Sequence, residues 1–153
     1  MLSVMIKYLS VLSFLLISIS CKQDLSSQKA YTFKTNIRLG NHYYSIYFNR
    51  EGEGYVVKGK GSYYTEPLKI ESSDSSEVFK IDSARVLFDK LDKLKEKPIH
   101  GITRLGTARA EIYYNGKQIY DAYVWDETFW SIFRPIMEQF PKEFNPFLLD
   151  NPN

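Results

Sequence analysis

Few groups in this chain are equipped for chemistry, and the first is its single cysteine, Cys21, which stands where an apolar run ends. The two histidines, His42 and His100, each fall at an expected turn or loop. A solvated imidazole is the ordinary reading there, and a shared metal or general-base role requires the two to meet in space. Glu111, Asp121 and Asp126 are the carboxylates nearest a plausible pocket, and a carboxylate pair is the minimum equipment for glycoside hydrolysis. Any soluble domain has such pairs, so their presence alone assigns no reaction. The sequence has no G-x-S-x-G elbow, H-E-x-x-H pair, EF-hand loop or Walker glycine loop. Serine-nucleophile, zinc-protease, calcium-binding and nucleotide chemistries therefore lack their usual residues, and the sequence calls for no cofactor.

A second constellation suits binding. Tyr31, Phe33, Thr35, Ile37 and Leu39 alternate with polar residues, Gly40-Asn41 is a two-residue turn, and a matching alternation follows. Such a turn sets Leu39 opposite His42, Ile37 opposite Tyr44, Thr35 opposite Ile46 and Phe33 opposite Phe48, and a slip of one residue ruins the match. On the polar face, Arg38 then lies opposite Tyr43 and Lys34 opposite Tyr47. Rigid aromatics beside cations bury area at little conformational cost and recur in binding surfaces. Cross-strand Tyr and Lys pairs also stabilise sheets with no ligand at all.

The remaining elements position these groups. A third strand is expected from Tyr55 to Tyr64, an edge strand at most from Glu66 to Glu71, a polar loop from Ser72 to Ser76, and a short strand-like run from Glu77 to Ile81. Lys58-Gly59-Lys60-Gly61 has the look of a phosphate cradle, but no helix start follows it, so bulging or close packing is the better reading. Asp82 is placed to cap a helix whose apolar stripe is Ala84, Leu87, Phe88, Leu91 and Leu94, with Ile81 and Val86 as a hydrophobic staple and Pro98 as its stop. A loop with Arg104 and Gly106 leads to the hairpin centred on Asn115-Gly116. Simple register from that turn pairs Ile112 with Ile119 and Ala110 with Asp121, which sets the Asp121 carboxylate among aliphatics, where it needs a partner or water. Asp126 caps a second helix with Trp125 and Trp130 as its staple. Phe129, Phe133, Ile136, Met137 and Phe140 form that helix's apolar face, and Pro135 is expected to kink or split it. Phe147-Leu148-Leu149 is expected to tuck against the domain.

The opening stretch reads MLSVMIKYLSVLSFLLISISC. Lys7 and the amino terminus are positive, and the apolar run Tyr8 to Ser20 is 13 residues, short of the roughly 17 to 25 needed to span a bilayer. This stretch resembles a bacterial lipoprotein signal, in which a small residue precedes a cysteine that is diacylated and becomes the new amino terminus. Ser20 precedes Cys21 as that pattern asks; Ser18 stands where an aliphatic is usual, a relaxed form similar to lipoproteins of the Bacteroidota. The resemblance covers only Met1 to Cys21. It implies lipidation at Cys21, and Lys22 after the cysteine implies release to the outer membrane, facing either the periplasm or the outside. An ordinary signal peptide cut elsewhere is the alternative.

Division follows as residues 1–20 leader, 21–30 lipidated cysteine and flexible tether, and 31–153 one globular domain. Lys22 to Ala30 could reach at most about 30 Å. Removing the leader takes one lysine and leaves 19 basic against 18 acidic residues, which argues against nucleic acid as a partner. With no cysteine after Cys21, the fold rests on its apolar core, which the chain's 12 Tyr, 10 Phe and 2 Trp, all but Tyr8 and Phe14 of them beyond the leader, can supply. The expected class is α+β: an antiparallel sheet of five to seven strands, an N-terminal meander plus a C-terminal hairpin, with two helices packed mainly on one face. The expected function is a lipid-anchored, non-enzymatic domain of the cell envelope that binds a protein partner or small ligand, with an inhibitor or immunity-type lipoprotein as one form of it and Arg38, Tyr43, Tyr47 and Asp121 as candidate binding residues. Two alternatives stand beside it: an envelope hydrolase using Glu111, Asp121 and Asp126, and a glycan-binding lipoprotein, which requires exposed coplanar aromatics.

Overall fold

A computed structural model of the 153-residue chain describes residues 31–61, 70–101 and 108–148. The leader, Cys21, the tether, the stretch 62–69, the loop with Arg104 and Gly106, and Leu149 lie outside the described residues.

Alternation builds the first half. β1 (Phe33–Leu39) and β2 (His42–Phe48) pair in the register that the Gly40-Asn41 turn predicts, from Leu39 with His42 to Phe33 with Phe48. β3 (Glu53–Gly61) continues the meander, and β4 (Ile70–Ser75) flanks it, with β5 (Phe79–Lys80) pairing the start of β3. Ser72 to Ser75 are therefore strand and not the expected loop. They belong to an outer strand and are exposed, so polar side chains cost nothing there while the backbone bonds to β3.

Gly54 is required by contact: a Cβ at that position would stand 1.9 Å from the Tyr47 carbonyl oxygen and 2.3 Å from the Phe48 ring. Only a residue without a side chain lets β2 and β3 close beneath Phe48.

α1 (Ala84–Glu96) buries Ala84, Leu87, Phe88, Leu91 and Leu94, the stripe that the sequence sets at helical spacing. Its start differs from expectation. Ser83 occupies the N-cap without a side-chain cap bond, and Asp82 is held instead through its backbone N–H, which donates to Gln139 Oε1 at 2.6 Å. Val86 stays 46% exposed while Ile81 is in the core, so that staple is not made. Tertiary contact with the second helix fixes this end in place of a local cap.

β6 (Ile99–His100), β7 (Arg109–Tyr114) and β8 (Lys117–Tyr123) complete a sheet of eight strands, in the order β4-β3-β2-β1-β7-β8-β6 with β5 beside β3. Every pairing is antiparallel except β6 with β8. The fold is α+β, with α1 and α2 (Glu127–Met137) packed on one face.

Between these layers lies an aromatic core. Phe33 stands 6.1 Å from Phe48 and 6.2 Å from Phe133, Phe129 stacks on Phe133 at 4.4 Å, and Phe88 meets Tyr114 at 6.0 Å. Burying each such ring is worth about 1.5–3 kcal/mol, and a well-placed ring pair about 0.5–1.5 kcal/mol more. This supplies the cohesion that disulfides give to many small exported domains.

α2 begins as expected. Asp126 Oδ1 accepts the Thr128 N–H at 2.8 Å, and Trp125 stacks on Trp130 at 5.7 Å. Pro135 does not split the helix, which runs unbroken through Met137. Proline leaves the Ser131 carbonyl without its usual helical donor, and the Lys90 ammonium, reaching across from α1, donates to that oxygen.

The second hairpin corrects the placement of Asp121. Tyr114 pairs Lys117 and Tyr113 pairs Gln118 as the turn dictates, but a bulge follows, so that Ile112 pairs Tyr120, Glu111 pairs Asp121 and Ala110 pairs Ala122. Ile119 is the extra residue, and Ile119 and Tyr120 are both fully buried. Strict alternation would have put the Asp121 carboxylate in the core and the Tyr120 ring in solvent. One inserted residue reverses both, at the cost of a local break in the ladder.

Candidate functional site

Helices cover one face of the sheet, so the site to build is the other, where polar residues of β1 meet those of its two neighbours. β1 sits between β2 and β7, and lateral register sets the open-face side chains in rows running across the strands. The first row is Tyr55, Tyr47, Lys34, Tyr113 and Gln118; the second is Val57, Ser45, Asn36, Glu111 and Asp121; the third is Gly59, Tyr43, Arg38, Arg109 and Tyr123.

The second and third rows are bonded to each other. Asn36 Oδ1 accepts from Ser45 Oγ at 2.8 Å and from the Tyr43 hydroxyl at 3.0 Å, while Asn36 Nδ2 donates to Glu111 Oε2 at 3.1 Å. Arg109 holds Asp121 by two parallel bonds, Nε to Oδ1 and Nη2 to Oδ2, both 2.7 Å, and its Nη2 lies 3.2 Å from Glu111 Oε1. Tyr113 donates weakly to Glu111 Oε2 at 3.5 Å. The Tyr113 phenol is pushed above its ordinary pKa, first by burial and then by the Glu111 carboxylate.

Aromatic faces and one cation make the first row. Tyr47 stacks on Tyr55 with centroids 4.7 Å apart and planes 12° from parallel, and Tyr31 meets Tyr55 edge-on at 5.2 Å. Burial, then the phenols of Tyr47 and Tyr31, push the Tyr55 pKa up. Lys34 rises between two rings, its Nζ 5.6 Å from the Tyr47 centroid and 5.9 Å from that of Tyr113. Tyr31, Thr32, Lys34, Tyr47, Tyr55 and Tyr113 line a depression of about 430 Å³, with Gly116 of the hairpin tip at its rim.

The residues singled out from the sequence separate into three groups. Tyr47 lies in the depression. Arg38 and Tyr43 belong to the neighbouring rows, where they and Glu111 line a dent of only about 20 Å³, room for about one water. Asp121 and Glu111 come together, but around the Arg109 guanidinium, while Asp126 is engaged at the start of α2. The three carboxylates therefore share no cavity. His42 and His100 stand on β2 and β6, four strand steps apart, about 19 Å at the usual strand spacing. Burial and the Lys60 and Lys58 ammonium groups lower the His42 pKa. Among the described residues, no cluster of three His, Cys, Asp or Glu side chains is arranged to hold a metal, and no helix is long and apolar enough to cross a membrane.

Tyr31, Tyr55 and Tyr113 escaped the sequence reading as site residues. Alternation marks Tyr113 as facing away from the core, but it sets Tyr31 in the apolar phase of Phe33 and Ile37, although β1 begins only at Phe33, and it groups Tyr55 with Val57, whereas Gly54 and Val56 are the residues of β3 that face the core; only the β1–β7 pairing brings Tyr113 beside Lys34. No protein-family model, curated protein or solved structure matches this chain.

Proposed function

We propose that this chain is a non-enzymatic binding domain of the cell envelope, tethered through a diacylated Cys21, whose recognition surface is the open face of its sheet. One observation carries the choice of surface. Lys34 stands between the Tyr47 and Tyr113 rings on the face opposite the helices, and among the described residues no carboxylate pairs with it. Aromatic anchors around a charge are the features that dominate binding energy in interfaces. The anchoring rests on the leader's lipoprotein-like residues, and two acyl chains would hold the domain at a membrane where one would bind only marginally.

A hydrolase using Glu111, Asp121 and Asp126 fits less well. Two of these carboxylates share one guanidinium and the third caps a helix, which leaves no acid and base facing a common space. An inhibitor or immunity-type role is one form of the binding reading, with the partner a protein that the open face occupies.

Photo-crosslinking in intact cells tests the surface. The full chain carries p-benzoylphenylalanine in place of Tyr47 or Tyr113 in one set, and of the exposed helical Arg85 in another. Adducts at the first two positions and none at the third are expected; adducts at Arg85 alone would move the binding surface to the helices. Labelled palmitate on the wild type and none on Cys21→Ser is the expected result for the anchor, and equal labelling of both would remove it.

A further inference from the structure

The chemistry of the first row narrows what this surface takes, an inference that rests on the open-face reading above. We propose that the slot between Tyr47 and Tyr113 binds an acidic saccharide, its carboxylate on Lys34 and its sugar rings against the tyrosines.

Three observations lead there. The first is the make-up of the lining. Tyr31, Tyr47, Tyr55 and Tyr113 each offer a phenol and Lys34 an ammonium, and among the described residues no aliphatic side chain lines the depression. Hot spots for a protein partner centre on well-packed, fully desolvated pockets, and small-molecule pockets are mostly apolar. A lining in which every side chain both presents a ring or stem and ends in a hydrogen-bonding group suits a ligand that is dense in hydroxyls and has C–H faces between them.

The second is charge. On the neighbouring rows the arginine at position 109 already has Asp121 and Glu111, and Glu111 also accepts from Asn36. Lys34 has two rings and, among the described residues, no carboxylate. A cation left without a counter-ion beside a hollow is completed by an anionic group on the ligand, and the flanking rings reduce its hydration and strengthen that contact.

The third is dimension. Tyr47 and Tyr113 flank β1 and so are rooted two strands apart, roughly 10 Å, and the hollow of about 430 Å³ falls at the small end of the roughly 300–1,000 Å³ range of ligand pockets. Thr32, one of the lining residues, keeps its Oγ1 buried and without a partner among the described residues. A recess of this size holds a ligand of a few sugar rings.

The full chain, purified in detergent, is titrated calorimetrically with trigalacturonate, with neutral galactotriose and with triglutamate. Trigalacturonate is expected to bind, with at least tenfold weaker binding of galactotriose and no binding of triglutamate. Lys34→Met, which keeps the stem and removes the charge, is expected to weaken trigalacturonate at least tenfold, and Tyr113→Leu by a similar factor, while Lys60→Met changes nothing; thermal melts confirm that each variant is folded. Equal binding of triglutamate would make the slot a reader of acidic peptides and overturn the proposal, as would an unchanged affinity in Lys34→Met. Absence of saccharide binding alongside crosslinks at Tyr47 would discard the ligand class and keep the binding face; absence of both would discard the two together.

Discussion

Arg109 and Asp121 face each other as a two-bond pair, Nε to Oδ1 and Nη2 to Oδ2 at 2.7 Å, on the open side of neighbouring strands β7 and β8. The pair exists because Ile119 bulges: in unbroken register Asp121 would have pointed at the core. Each side chain is about one quarter exposed or less, at 26% and 20%, so the contact lies between the weak exposed pairs and the costly buried ones. Asp121→Asn is expected to destabilise by about 1–2 kcal/mol, since it removes the charge from two charge-assisted bonds and leaves the guanidinium with Glu111. Urea titration of Asp121→Asn, Arg109→Met and the double variant measures the coupling; strict additivity would mean that the pair contributes nothing.

Close packing at Gly54 gives a sharper effect. Gly54→Ala drives a methyl group into the Tyr47 carbonyl and the Phe48 ring, where backbone cannot yield, and a loss of about 3 kcal/mol or more is expected. Gly116 has φ +76° and open space around it, so Gly116→Ala costs about 1 kcal/mol through backbone conformation alone. Comparing the two melting temperatures checks this; equal shifts would show that the contact at Gly54 relaxes.

Lys90 and Pro135 form a compensating pair across the two helices. Lys90→Met is expected to cost about 0.5–1 kcal/mol by leaving the Ser131 carbonyl without its donor. Pro135→Ala restores a backbone N–H to that same oxygen and is expected to stabilise the helix. With that N–H in place, Lys90→Met should be close to neutral. A double-mutant cycle by chemical denaturation reads this directly, and an undiminished effect of Lys90→Met beside Pro135→Ala would rule out the shared acceptor.

Alkaline stability follows from the tyrosines. Burial raises the pKa of Tyr44, Tyr55, Tyr113, Tyr114 and Tyr120 above the ordinary value of 10.0. For an acid raised in the folded state, the unfolded chain ionises first, so stability is complete below pH 10 and declines as pH rises through and beyond that value. Ultraviolet titration at rising pH should show an early group of phenols and a late group that ionises together with the loss of near-ultraviolet circular dichroism. All phenols titrating together near pH 10 with the fold intact would contradict the burial.

Much of this architecture was legible one segment at a time. The Gly40-Asn41 turn sets the register of its whole hairpin and Asn115-Gly116 that of the two pairs next to it, because a two-residue turn fixes pairing locally. The stripe from Ala84 to Leu94 and the Asp126 cap are local as well. Even the bulge left a trace: Ile119 is out of phase with Tyr120, Ala122 and Val124, all of which are buried, and a run that changes phase within a strand asks for an inserted residue.

Position by position, then, the residue order settled where the two hairpins turn, which side chains of the first hairpin face the core, and where each helix keeps its apolar stripe, since these depend on neighbours within a few residues. Only the tertiary structure decided that β1 pairs with β7, where Thr35 and Glu111 meet from 76 positions apart. That pairing makes the Tyr47–Lys34–Tyr113 slot. A strand edge offers the same backbone donors and acceptors to any partner of suitable phase, and the packing of two helices over one shared face selects which distant strand completes it.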